Sequence, residues 1–198
     1  QSVDALEGLF SELLDLTRID AGGVEVNPAP VKMRDVFARL RLHFEPVAFE
    51  KGLALNFHGE RRVAHTDAVL LERILRNLVS NAIRYSNDGG VLVACRPRNG
   101  KLLIQVWDSG IGISPEALAR IFEEFYQVSG STPLQADQRK GLGLGLAIVK
   151  RLSQLMEAPL VVQSRPGHGT VFSLLVPEGR LPRTIDRVSP SSSAAQKL

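Results

Sequence analysis

The chain has 198 residues, 44% hydrophobic and 23% charged, an ordinary balance for a globular protein that can bury a core. No apolar run is long enough to cross a bilayer, and the first residues lack a basic-then-apolar leader. The net charge of +3 is spread along the chain, and only Arg61 and Arg62 are adjacent arginines before the tail, which argues against a nucleic-acid footprint and suits an anionic small ligand.

Residues 1–20 read as a helix, with Val3, Leu6, Phe10, Leu13 and Thr17 at the spacing of a helix seam and Leu9 and Leu16 widening it. One helix cannot bury such a stripe alone, so partner helices are expected. The chain opens mid-helix without an initiator Met, as a fragment of a longer protein would; that leaves room for a membrane anchor elsewhere in the parent. "AGGVEVNPAP" (21–30) then breaks the helix and starts an extended stretch.

A second helix is expected over 34–51, with Val36, Leu40 and Val47 apolar and a kink or interruption at Pro46. "GLALNF" (52–57) alternates as a strand does, and residues 67–85 carry the strongest helical pattern. Two strands flank Asn99-Gly100 within 89–108, a strong hairpin signal. Cys95, the single cysteine, sits in one of them as a small buried hydrophobe, so an internal disulfide is impossible and a reducing compartment fits. A short helix is expected at 115–125, a polar loop at 126–142, a helix at 144–156, and strands at 159–164 and 169–176. The stretch from Pro177, rich in Pro, Arg and Ser, reads as a linker or tail. The class is α/β, with a mixed or antiparallel sheet and helices on one face, because adjacent hairpins argue against a doubly wound parallel sheet.

Three stretches carry chemistry. In "DAVLLERILRNLVSNAIRYS" about 100 degrees per residue puts Leu71, Leu75, Leu78, Val79, Ala82 and Ile83 on a core face. Asn77, Asn81 and Arg84 fall on the other side, with Arg73 and Tyr85 at its margins. Such a stripe suits solvent. It equally offers two amide oxygens to a hard cation and a guanidinium to anionic oxygens. In "VWDSGIGISPE" a strand ends at Asp108, an acceptor able to hold an exocyclic amine, and Gly110 and Gly112 allow a ligand close to backbone; a plain turn before a helix capped by Ser114 reads the same way. In "RKGLGLGLAIVKR" Gly141, Gly143 and Gly145 feed a helix N-terminus, which makes either a phosphate cradle or a hinge.

Taken in order, "NLVSNAIRYS", "DSGIGI", "IFEEFYQ" and "KGLGLGLAIVKRL" resemble the N, first-glycine, F and second-glycine boxes of sensor histidine kinases of two-component systems. "LTRIDAG" (16–22) resembles the end of the dimerization helical hairpin, and "GHGTVFSLLVP" the closing strand pair. The resemblance covers residues 1 to about 178 and implies a Bergerat-type α/β sandwich. Its expected parts are the end of the hairpin at 1–22, the catalytic ATP-binding domain at 23–178 and a linker or tail at 179–198. "FEPVAFEKGL" and the tail further resemble hybrid kinases, in which a receiver domain follows.

The resemblance implies ATP and Mg²⁺ as cofactors. Asn81, with Asn77 beside it, would hold Mg²⁺ on the triphosphate, and Arg84 and Tyr85 would contact phosphate and nucleotide. Asp108 would accept from the adenine amine, Gly110, Gly112 and Ile113 would form the floor, and Thr170 would act through a water. Phe122 and Phe125 would anchor a mobile lid at 126–140, with Arg139 or Lys140 reaching the γ-phosphate. Gly141, Leu142, Gly143, Leu144 and Gly145 would complete the nucleotide site. Catalytic roles fall to Asn81, Arg84 and Lys140. None of His43, His58, His65 and His168 has the family's acceptor context, so the phosphoacceptor is expected upstream of Gln1.

The reading is therefore a cytoplasmic protein histidine kinase domain of a phosphorelay. Its partners would be its own phosphoacceptor domain, a response-regulator receiver and a second copy paired weakly through residues 1–20. One rival is a related ATPase using ATP as a conformational clamp, against which "IFEEFYQ" and the seam helix argue. The other is a degenerate module that only binds a partner, against which Asn81, Asp108 and the complete set of glycines argue.

Overall fold

The computed structural model describes residues 2–127 and 143–182. Its elements in chain order are α1 (Ser2–Asp20), β1 (Ala29–Lys32), α2 (Met33–Glu50), β2 (Ala54–His58), β3 (Val63–Thr66) and α3 (Ala68–Tyr85). Then follow β4 (Gly90–Arg98), β5 (Lys101–Asp108), α4 (Pro115–Leu118), α5 (Gly145–Leu155), β6 (Leu160–Arg165) and β7 (Gly169–Pro177).

Five strands form one sheet in the order β2-β4-β5-β7-β6. Only β2 and β4 run parallel, joined by the crossover that contains β3 and α3; the remaining neighbours are antiparallel. The β4–β5 hairpin turns on Asn99 and Gly100, both at positive φ (51° and 76°), as the Asn-Gly pair predicts. Strands β1 and β3 make a separate antiparallel pair, continued by a bridge from Ala64 to Glu178. The class is as the sequence predicts, a mixed, mostly antiparallel sheet with helices on one face.

Alternation along the strands builds that face. Val91, Val93 and Cys95 of β4, Leu102, Ile104 and Val106 of β5 and Phe172, Leu174 and Val176 of β7 are buried in one core with α2, α3 and α5. Asp67 caps α3, its Oδ1 accepting from the N–H groups of Val69 and Leu70 at 3.0 Å each. Its Oδ2 accepts from Asn27 N–H at 2.9 Å, tying the extended stretch to the helix start. The six apolar positions expected on the core face of α3 are all buried.

Four expectations change. Helix α2 runs through Pro46 without interruption. Pro46 lies on the solvent side of α2, and the carbonyl it deprives of a helical partner belongs to Leu42, a residue that is 81% exposed. The expected helix 115–125 is a single turn, Pro115–Leu118, followed by turns. Strand β3 carries no alternation long enough to be read. The seam of α1 also divides. Leu16 joins the core and Leu9, Leu13 and Ile19 pack against it, whereas Val3, Leu6, Phe10 and Leu14 stay exposed. Asp15 pairs with Arg73 of α3, and Asp20 Oδ1 lies 2.7 Å from Arg151 Nε of α5.

Candidate functional site

Burying the apolar stripe of α3 on the sheet turns its polar stripe toward a cleft between α3, the β5–α4 loop and the start of α5. One part, about 630 Å³ of open space, is lined by Asn81, Tyr85, Asp108, Gly112, Ile113, Tyr126, Leu146, Thr170 and their neighbours. The adjoining part, about 590 Å³, is lined by Glu12, Asn77, Ser80, Asn81, Arg84, Gly143 and Gly145 among others. Asn81, Tyr85, Ile121, Tyr126 and Leu146 border both, so the two form one elongated site.

Asp108 ends β5 half-buried. Its Oδ1 accepts from the backbone N–H groups of Gly110 (2.9 Å) and Thr170 (3.3 Å). Oδ2 accepts from no group among the described residues, which leaves one carboxylate oxygen for a ligand in the cleft. Burial pushes this carboxyl above its usual range, opposed by those two N–H groups.

The glycines shape the floor. A Cβ on Gly110 would stand 2.4 Å from Tyr85 O, and one on Gly112, at φ +72°, 2.2 Å from Arg165 O. Ile111 N–H donates to Tyr85 O at 3.1 Å, and Gly167 N–H to Ile111 O at 2.7 Å, pinning the loop between α3 and the β6–β7 turn. At the other end Gly143 and Gly145 flank the start of α5. Leu144, the N-cap position, supplies no side-chain acceptor, so the first turn of α5 has no capping side chain, and its Gly145 and Leu146 line the cleft. A Cβ on Gly145 would come within 2.9 Å of Asn77 Oδ1.

Asn77 Nδ2 donates to Arg73 O at 3.1 Å, which leaves its amide oxygen as the group it can offer a cation. Asn81 borders both parts of the cleft. Two neutral amide oxygens beside a basic side chain suit a hard cation that keeps water and phosphate oxygens as further ligands. Among the described residues no group of three His, Cys, Asp or Glu side chains gathers to hold a metal by itself.

The structure brings together Asn77, Asn81, Arg84, Tyr85, Asp108, Gly112, Ile113, Gly143, Gly145 and Thr170 of the expected set. Gly110 shapes the loop from behind. Leu144 is fully buried and belongs to the core, because the last of the alternating leucines before the helix points under α5. Phe125 is 55% exposed and lines neither part. Its φ of 61° turns the chain so that the next residue, Tyr126, faces the cleft instead. Phe122 packs edge-on against Phe172 with ring centroids 6.4 Å apart. Arg139, Lys140, Gly141 and Leu142, and with them most of the expected lid, lie outside the described residues.

Sequence reasoning missed Glu12, Tyr126, Leu146 and Ser164. Glu12 reaches the cleft because α1 docks on α3 and α5, which no local pattern encodes. Burial there raises its carboxyl above the usual range, against the opposing pull of Arg73 and Arg84.

This arrangement puts a half-buried carboxylate at one end of a cleft and a helix start without a capping side chain at the other. Residues 66–180 match the family described as "Histidine kinase-, DNA gyrase B-, and HSP90-like ATPase", and the chain belongs to that family. It is similar to the "Autoinducer 2 sensor kinase/phosphatase LuxQ" of Vibrio vulnificus (strain YJ016), 32% identical over 185 residues, covering 89% of this chain and 21% of the relative. It is also similar to the "Aerobic respiration control sensor protein ArcB" of Escherichia coli (strain K12), 33% identical over 179 residues, covering 88% and 23%. The chain thus spans about a fifth of the length of these relatives. Among solved structures, full-length ShkA in complex with AMPPNP matches with a TM-score of 0.80 and 31% identity over 92% of this chain and 38% of that one. Within its family the chain is the ATP-binding catalytic domain of a sensor histidine kinase.

Proposed function

We propose that ATP lies along the elongated cleft, adenine against Asp108 and triphosphate against Asn77, Asn81, Arg84 and the start of α5, and that its γ-phosphoryl passes to a histidine on a phosphoacceptor helix. The observation that carries this reading is that Asp108 Oδ2, which accepts from no group among the described residues, lines the same elongated cleft as a helix start without a capping side chain. In the transfer an imidazole nitrogen bonds to the γ-phosphorus, the bond to the β,γ-bridging oxygen breaks, ADP leaves, and the imidazole N–H proton goes to solvent. Little covalent chemistry falls to the protein, so positioning and charge stabilisation dominate. Asn77 and Asn81 would hold Mg²⁺, which when bound neutralises charge on the triphosphate. Arg84 would pair with phosphate oxygens.

None of the four histidines lines the cleft. His43 is exposed on α2, and His65 faces Pro30 across the β1–β3 pair. The acceptor is therefore proposed on the dimerization hairpin of the parent protein, with a receiver domain as the next partner. No described helix is long and apolar enough to cross a membrane. A cytoplasmic location of the domain is part of the proposal, supported by its use of ATP.

Labelled ATP tests the reading. The chain alone should acquire no acid-labile phosphohistidine, and it should label an added hairpin domain that carries its own histidine. Stable self-labelling at His43, His58, His65 or His168 would overturn it.

A further inference from the structure

The nucleotide reading uses Asp108 and Thr170 and gives no part to Ser164, yet one hydroxyl there joins three segments around the cleft. Ser164 lies on β6 directly opposite Thr170 of β7. Its Oγ accepts from the N–H of Ile113 at 2.8 Å, lies 3.0 Å from Gly169 O as donor, and lies 2.7 Å from Thr170 Oγ1. Ile113 and Thr170 both line the cleft, and Thr170 N–H reaches Asp108.

A serine hydroxyl has one proton and two lone pairs. If Ser164 donates to Gly169 O, its lone pairs take the Ile113 N–H and the Thr170 O–H, and all three contacts are hydrogen bonds. If Ser164 instead donates to Thr170, the Gly169 contact is lost and the Thr170 proton is released toward the cleft. The first arrangement makes three bonds and the second two. At about 0.5–1.5 kcal/mol for each net bond the first dominates. In that arrangement Thr170 spends its only proton on Ser164 and can only accept at the cleft wall it shares with Asp108, whose Oδ2 accepts from no group among the described residues. Two neighbouring acceptors read a group with two N–H donors and reject a carbonyl oxygen.

We propose that Ser164 is a positioning residue that locks the Thr170 hydroxyl as an acceptor and so helps select a purine carrying a 6-amino group. The inference rests on the assignment of adenine to the Asp108 end of the cleft. Ser164 itself need not touch the nucleotide.

The test compares ADP with purine riboside 5′-diphosphate, which has hydrogen at position 6, and with inosine diphosphate, which has an oxo group there. Binding is measured by calorimetry on the whole chain. The wild type should prefer ADP to both. In Ser164→Ala the preference for ADP should fall about three- to tenfold, the equivalent of one lost neutral hydrogen bond. Ser164→Cys, similar in size but a weak donor and acceptor, should show the same fall and covers the case in which the alanine variant does not fold. Ser164→Thr should keep the wild-type preference. Thr170→Val should lower it by a similar factor, leaving the part that Asp108 supplies, and adding Ser164→Ala to Thr170→Val should change it no further, because both act through one bond. If Ser164→Ala and Ser164→Cys weaken all three nucleotides by the same factor, or none, Ser164 only pins the Ile113 loop and the inference is wrong. A wild type that binds all three alike would remove the adenine assignment, and the inference with it.

Discussion

Arg151 Nε lies 2.7 Å from Asp20 Oδ1, and the same guanidinium reaches Glu124. One side chain of α5 thereby joins the last turn of α1 to the turns that precede the expected lid. The pair is partly exposed, so its direct worth is small, about 1 kcal/mol or less. Arg151→Ala should lower Tm by a few degrees at most, about 2–4 °C for a chain of this size. The larger effect should be local: amide exchange over residues 12–20 should quicken while that of α3 stays the same. Unchanged exchange in α1 would show that Leu16 and the Asp15–Arg73 pair hold the helix without Arg151.

The cation assignment is tested at Asn81. Asn81→Ala improves helix propensity at a partly exposed position, so stability should hold or rise slightly. Affinity for ATP in the presence of Mg²⁺ should drop to the level measured in EDTA. Titrations of both proteins with and without Mg²⁺ read this directly, and a variant that still gains affinity from the metal sinks the assignment.

At Asp108 a charge-assisted hydrogen bond is at stake, worth about 1.5–3 kcal/mol. Asp108→Asn should therefore weaken ATP by about 10- to 150-fold and narrow the gap between ATP and GTP. The pH dependence has a definite sign. Burial raises this carboxyl above its usual value, so the acceptor form is lost at a less acidic pH than for an ordinary aspartate. Nucleotide affinity should fall as pH is lowered through that raised value. Stability of the unliganded fold should move the other way at this group. The folded state binds the proton more readily than the unfolded chain, so the stabilisation from protonation is full below the unfolded pKa and fades as pH rises through the folded one. Affinity that stays flat down to the ordinary aspartate range would contradict the burial effect.

Gly112 sits at φ +72° with Arg165 O only 2.2 Å from where a Cβ would be. Gly112→Ala must shift backbone rather than a flexible side chain. A non-glycine residue in this region costs on the order of 1–3 kcal/mol before the clash is counted. The variant should melt lower and bind ATP at least tenfold more weakly, whereas Gly100→Ala, in open space at a distant turn, should lose stability alone.

Self-association should follow the exposed half of α1. Val3, Leu6 and Phe10 are each more than 60% exposed, and covering such side chains fully is worth roughly 1.5–3 kcal/mol apiece. A single short helical pair is marginal, so the dimer should be weak and concentration-dependent. Because Leu16 is a core residue, the informative change is Leu6→Glu with Phe10→Glu rather than removal of the helix. Sedimentation should show the double variant monomeric at concentrations where the parent associates. A dimer that persists would place the interface on the ATPase domain.

Periodicity by itself determined the α3 stripe, the Asn99-Gly100 hairpin and the helix after the glycines, because each rests on contacts between residues near in sequence. The order of motifs along the chain determined the family. The tertiary structure decided the rest through contacts between distant residues. Tyr126 faces the cleft in place of Phe125 because one left-handed residue turns the chain, and both are aromatic in the sequence. Pro46 is accommodated on the exposed side of α2, which depends on which side of that helix meets the sheet. Ser164 matters only because β6 and β7 pair in a register that sets it opposite Thr170. Glu12 enters the cleft only because α1 folds onto α3 and α5. An a/d stripe specifies that a face will be buried, whereas the choice between a second helix and the chain's own core follows from which apolar surface that core leaves uncovered.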